Sequence, residues 1–202
     1  MAKKRQPVDK TRRMPRQARA EETVTAILEG AAQILEAGGL GAFTTNAVAE
    51  RAGVSIGTLY QYFADKQAIL RAIAERELRT TLAKVAQTLT EAHEAPIEVR
   101  VRAIVRAVVG AFRGRQRARK AVVQAVFSEG GGAALQAPIA AFIAAHALAS
   151  LSEQQTFVLS RSLLGAIRAA VLEEKAFLRD PAFENELVRL ATSYLRGLLP
   201  AD

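Results

Sequence analysis

The chain of 202 residues has no cysteine, no tryptophan, two histidines and an aromatic share of 5%. Without cysteine there is no disulfide framework, no thiolate metal site and no thiol nucleophile, which fits a reducing, cytoplasmic setting. His93 and His146 are the only imidazoles available as bases. No G-x-S-x-G elbow, dinucleotide fingerprint or metal-spaced His/Asp cluster occurs. The run Gly130 to Gly132 lacks the lysine and hydroxyl of a phosphate-binding loop. No enzyme activity, cofactor or metal is therefore expected. The N-terminus lacks the apolar core of a signal peptide. From Gly130 to Ser152 no residue carries a formal charge, a length that could cross a membrane. Gln136, Pro138 and His146 interrupt it and much of it is alanine, so Leu135 to Leu148 reads as a helix apolar all round and buried in a bundle, with no membrane partner.

Half of the residues are hydrophobic. The alanine-rich character and few aromatics suit packed helices better than sheets, in one domain or two small ones. The net charge of +8 is concentrated at one end. Lys3, Lys4, Arg5, Lys10, Arg12, Arg13, Arg16 and Arg19 face Asp9 alone within the first twenty residues, which accounts for +7 of that excess. Pro7 and Pro15 argue against continuous helix there. The segment 1–18 is read as a flexible basic arm able to lie along phosphates or enter a minor groove, with Arg12, Arg13 and Arg16 as its candidate contacts.

Residues Thr44 to Phe63 read TTNAVAERAGVSIGTLYQYF. Thr44 or Thr45 can cap a helix whose inner face carries Val48, Ala49 and Ala52. Gly53 suits a left-handed turn, Val54 is an apolar plug, and Ser55 can cap a second helix with Leu59 and Phe63 inward. Small Ala49 and Ala52 let the two helices cross closely, so that the second protrudes. The residues outside the core pattern are polar, small or aromatic. Thr58 offers a hydroxyl and a methyl to a base edge. Asn46 and Gln61 carry amides that pair with adenine. Tyr60, Tyr62 and Lys66 are long donors suited to phosphates. Gly57 has no side chain and allows close backbone approach. This is the pattern of a helix-turn-helix that reads double-stranded DNA.

The run FTTNAVAERAGVSIGTLYQYFADKQAIL resembles the DNA-binding domain of the tetracycline-repressor (TetR) family of bacterial regulators. The likeness covers Ala31 to about Leu78. It rests on a Thr pair, then A-x-x-A-G-V-S, then G-x-L-Y-x-Y-F and a following lysine, present without a gap. The resemblance implies that Thr45, Asn46, Ser55, Ile56, Gly57, Thr58, Tyr60, Gln61, Tyr62 and Lys66 face or touch DNA, with Thr44 beside them. Beyond that region the chain resembles the family in length and helical layout only.

The expected architecture is all-α with about nine helices: a helix-turn-helix domain over 19–65 and a helical effector-binding and dimerisation domain over 66–202. The first helix should run from about Arg19 to Ala37, stopped by Gly38 and Gly39. Asp65 should cap a helix reaching about Leu89, long enough to act as a lever. Pro96 should open the next, with Ile97, Val101, Ile104, Val105, Val108 and Phe112 as its stripe. The cluster Arg113, Arg115, Arg117, Arg119 and Lys120 reads as a solvated face, with an ionic contact to the DNA-binding half or an anionic effector site as sharper alternatives. Ser152 and Gln155 form a capping box for a helix to about Phe177, and Asp180 with Pro181 starts the last one.

The apolar stripes of these last two helices look wide enough for an intramolecular and an external neighbour. The resemblance implies that they pair with their copies in a homodimer, for which Phe157, Leu164, Ile167, Val171, Phe183, Leu187, Leu190, Tyr194 and Leu198 are the candidates. A dimer would match a palindromic operator in successive major grooves. Val105, Phe112, Val126, Phe127, Phe142, His146 and Leu164 are the candidate walls of a cavity. The resemblance implies that a hydrophobic or amphipathic small molecule binds there and releases a repressor from DNA. The alternative is a DNA-packaging protein that needs no effector.

Overall fold

In the computed structural model, residues 13–128 and 151–198 are described. Eight α-helices occupy them: α1 Arg13–Ala42, α2 Thr45–Ala52, α3 Ile56–Tyr62, α4 Lys66–Glu91, α5 Ile97–Ala111, α6 Gln116–Ser128, α7 Glu153–Leu172 and α8 Pro181–Arg196, with a 3₁₀ turn Ala176–Arg179 before α8. The chain divides into two compact units, Met1–Ile69 and Leu70–Asp202. The helix expected over 135–148, Phe142 and His146 included, lies outside the described residues, as does Arg12.

In the first unit α1 begins six residues earlier than its expected start at Arg19. Pro15 falls in its first turn, where the missing amide proton has no helical partner to lose. The glycine stop is a kink rather than an end. Gly39 has φ 63° and ψ −160°, a conformation essentially confined to glycine, and a last turn follows to Ala42. The expected stripe Ile27, Ala31, Ile34 and Leu35 is buried, together with Leu28 and Ala32. Phe43, Val48, Ala49, Leu59 and Phe63 are buried as well. Burying each Leu, Ile or Phe contributes roughly 1.5–3 kcal/mol, so these residues supply most of what holds α1, α2 and α3 together.

In the second unit one core is built from Val101, Val105 and Val109 of α5, Ile167, Ala170 and Val171 of α7, Leu178, and Leu187, Val188, Ala191 and Leu195 of α8. The fours in these numbers mark one face per helix. A polar border ties α5 to α8. Arg102 donates to Asn185 at 2.6 Å and Arg106 to Glu184 at 3.1 Å, while Arg196 pairs with Glu98. Glu184 is buried and also faces Arg113 at 3.5 Å.

The capping signals operate as read from the sequence. Asp65 Oδ1 accepts from Ala68, Asp180 accepts from Ala182 ahead of Pro181 at the start of α8, and Ser152 with Gln155 completes a capping box. The seventh helix, however, ends at Leu172, not near Phe177. Glu174 takes a left-handed φ of 54°, and the amides of Glu174 and Lys175 bond back to the carbonyls of Val171 and Ala170. This is the helix-ending pattern that glycine normally supplies, made here without one. Phe177 then leaves the helix and its ring sits 5.1 Å from that of Phe183.

Candidate nucleic-acid interface

The recognition hairpin is assembled by short-range chemistry. Thr44, the first of the two candidate caps, accepts from the Ala47 amide at 3.2 Å and starts α2. Gly53 closes α2 at φ 68°, where the Gly53 amide bonds to Glu50 O and the Val54 amide to Ala49 O. Both orphan carbonyls at that end are thereby satisfied within two residues. Ser55 Oγ then accepts from the Thr58 amide at 3.0 Å and starts α3. Leu59 at 0% exposure and Phe63 at 8% fix the inner side of α3. Beneath α2, a Cβ built on Gly30 of α1 would lie 3.1 Å from the Ala52 amide nitrogen. The missing side chain is what lets α1 and α2 approach so closely.

The outer side carries the candidate contacts. Tyr60 is 51% exposed, and Ile56 and Tyr62 are 38% exposed. Thr44, Asn46, Ser55, Gly57, Gln61 and Lys66 are exposed, while Thr45 and Thr58 are half-buried. None of them is in the core. Two hydrogen bonds organise this face. Thr45 Oγ1 and Tyr60 Oη lie 3.2 Å apart, linking α2 to α3, and the Ser55 and Thr58 hydroxyls lie 2.8 Å apart. The phenol and the threonine hydroxyl are thus held in place by protein partners while still reachable from outside. Lys66 opens α4, whose start is fixed by Asp65. Arg13 and Arg16 fall in the first turn of α1, and their side chains are outside the described residues.

Residues 27–73 match the family model for bacterial regulatory proteins, tetR family. This region of the chain is similar to the TetR family. The matched region takes in the recognition hairpin, and members of this family are DNA-binding transcriptional regulators rather than enzymes. The fold is similar to that of solved structures from this family over most of the chain. A TetR-family transcriptional regulator from Streptomyces coelicolor superimposes with a TM-score of 0.65 at 21% identity, covering 88% of this chain and 99% of that one. A TetR transcriptional regulator from Rhodococcus sp. RHA1 gives 0.61 at 18% identity, covering 91% and 100%. The multidrug binding protein EbrR in complex with ethidium gives 0.60 at 17% identity, covering 86% and 98%. Comparison with curated proteins gives no match. No helix among the described residues is long and apolar enough to cross a membrane.

The candidate residues of the second unit separate into two groups. Ile167, Val171 and Leu187, expected at a dimer interface, are spent in this chain's own core at 2%, 5% and 3% exposure. Phe157, Leu190 and Leu198 stay exposed at 58%, 46% and 38%, while Leu164, Phe183 and Tyr194 are half-buried. Among the candidate cavity walls, Val105 belongs to the same core and Val126 is buried. Phe112 and Leu164 are half-buried, and Phe127 is exposed with the Arg168 guanidinium 4.8 Å above its ring. A groove of about 400 Å³ lies between α4, α5 and α6, lined by none of these candidates. The basic cluster is not a solvated face throughout. Arg113, Arg119 and Lys120 pair with Glu184, Glu77 and Glu174. Arg76 and Lys84 of α4 also line the groove, and only folding brings them to Arg106 and Arg119, which lie on other helices.

Proposed function

We propose that the chain is a dimeric, ligand-responsive repressor that occludes a promoter at a palindromic operator. The observation that carries this reading is the outer side of α3: hydroxyl, amide and phenol groups stand exposed over a sealed Leu59 and Phe63. In this assignment Asn46, Thr58 and Gln61 read base edges, and Tyr60, Tyr62 and Lys66 hold phosphates. Thr44, Thr45, Ser55 and Ile56 border the contact, and Gly57 lets the backbone come close. Arg12, Arg13 and Arg16 extend the contact along the backbone of the duplex, in a salt-dependent manner.

The dimer is argued from exposed apolar groups on the last two helices, Phe157 of α7 and Leu190 of α8, together with Leu198. Large hydrophobics left in water on adjoining elements favour burial against a second copy. A hydrophobic or amphipathic effector is argued from the family and from EbrR, whose structure holds ethidium. Such a ligand releases the operator only if it binds the DNA-incompetent state more tightly. Phe112 and Leu164, both half-buried, remain the proposed walls of its cavity among the described residues.

Selection of bound fragments from random duplex DNA tests the reading. The expected product is an inverted repeat whose half-sites are centred about 34 Å apart, one helical turn or a multiple of it. A pool with no enriched sequence at any salt concentration would instead support a DNA-packaging protein.

A further inference from the structure

The groove between α4, α5 and α6 gathers cations from three helices. At about 400 Å³ it has the size of a small-molecule site, for which roughly 300–1,000 Å³ is usual. Its depth comes from α5, where Ala107, Gly110 and Ala111 share one face and a Cβ at Gly110 would meet nothing within 4 Å. Around it stand Arg76 and Lys84 of α4, Arg106 of α5 and Arg119 of α6, with Glu77 as a carboxylate among them. Two of the cations are already matched. Arg119 lies 3.3 Å from Glu77 and Arg106 lies 3.1 Å from Glu184. Arg76 and Lys84, two turns apart on one face of α4, have no carboxylate partner among the described residues. The hydroxyls of Thr80 and Thr81 donate to carbonyls of their own helix, so the cations are the donors left for a ligand. With four cations against the single carboxylate of Glu77, the concave surface is net positive, which focuses the field and concentrates anions.

We propose that this groove binds a small polyanion bearing carboxylate or phosphate groups, held by Arg76 and Lys84, with Arg106 and Arg119 supporting the field. Guanidinium groups match both oxyanions in a bidentate manner, and the ammonium of Lys84 adds a point charge. The ligand would tie α4 to α5 and α6. Any effect of that tie on DNA release rests on the ligand-responsive reading above; the binding itself does not.

The test uses the full chain without DNA. Thermal unfolding is followed by far-ultraviolet circular dichroism with citrate or pyrophosphate, against sodium chloride at equal ionic strength. At about a hundredfold excess over Kd the midpoint should rise by about 5 °C or more. A rise with citrate alone assigns carboxylates, and a rise with pyrophosphate alone assigns phosphates. The double variant Arg76→Gln, Lys84→Gln should lose the rise. Gly110→Leu, which fills the groove and keeps every cation, should lose it too. No rise in the wild type overturns the site, as does an equal rise in both variants, which would mean general screening of a basic protein. Duplex binding is measured separately, so a failed anion site leaves the DNA reading standing, and the reverse also holds.

Discussion

Replacing Gly57 by alanine separates the stability of the recognition helix from its use. Gly57 is the second residue of α3 and is exposed. A Cβ built there meets only Ser55 Oγ, at 3.8 Å, an ordinary contact. The fold loses nothing, and alanine recovers roughly 0.5–1 kcal/mol of the helix cost of glycine. For a chain of this size that raises the unfolding midpoint by about 1–4 °C. On a docked duplex the same methyl stands where the proposed contact brings the backbone close. Overpacking of a fitted surface costs about 1–3 kcal/mol, so Kd should rise roughly 5- to 150-fold. Circular dichroism melting and fluorescence anisotropy with a labelled operator duplex read the two effects. The account requires opposite signs: a firmer protein and a weaker complex. An unchanged Kd with the expected rise in stability would refute close backbone approach at Gly57.

Other perturbations have defined outcomes. Gly30→Ala should destabilise the first unit by about 1–3 kcal/mol in urea unfolding, because the new Cβ would lie 3.1 Å from Ala52 N and 3.2 Å from Arg51 Cγ; an unaltered midpoint would contradict the tight α1–α2 crossing. Glu184→Ala should cost about 1–3 kcal/mol by the same assay, since it strips Arg106 and Arg113 of their shared acceptor while the Arg113 Nε is already buried without one. Acid should also weaken the fold. Its own backbone amide and then Arg196 hold the Glu98 carboxyl below its ordinary value of 4.5, and Lys120 does so for Glu174. A lowered folded-state value means stability fully present above about pH 4.5 and lost as pH falls through the folded-state values. Glu98→Gln with Glu174→Gln should make the acid limb of a stability–pH curve shallower, and an identical limb would count against both pairs.

The recognition hairpin was legible in the sequence because everything that builds it is local. Thr44, Gly53 and Ser55 act within five residues of themselves, and the spacing of Val48, Ala49, Leu59 and Phe63 sets the inner face directly. The same holds for the caps at Asp65, Ser152 and Asp180. Where reading went astray, longer range or unusual chemistry intervened. The end of α7 at Leu172 uses a glutamate in the left-handed position, which composition does not signal. Periodicity marked Ile167, Val171, Leu187, Leu190 and Phe157 alike as apolar, but it cannot say whether the neighbour is the same chain or another. The first three turned out to fill the chain's own core. The visible basic run near Arg113 is partly consumed in ion pairs, whereas the unmatched cations Arg76 and Lys84 meet Arg106 and Arg119 only through folding.

The most direct test of the central claim, that the outer side of α3 reads base sequence, is the ratio of affinities for a selected operator and a scrambled duplex at one salt concentration. It should be measured for the wild type, Thr58→Val and Lys66→Ala. The wild type should prefer its site by roughly 10³ or more. Thr58→Val should shrink that ratio, whereas Lys66→Ala should weaken both duplexes alike and leave it standing. A wild-type ratio near one, or a ratio indifferent to Thr58, would contradict the account.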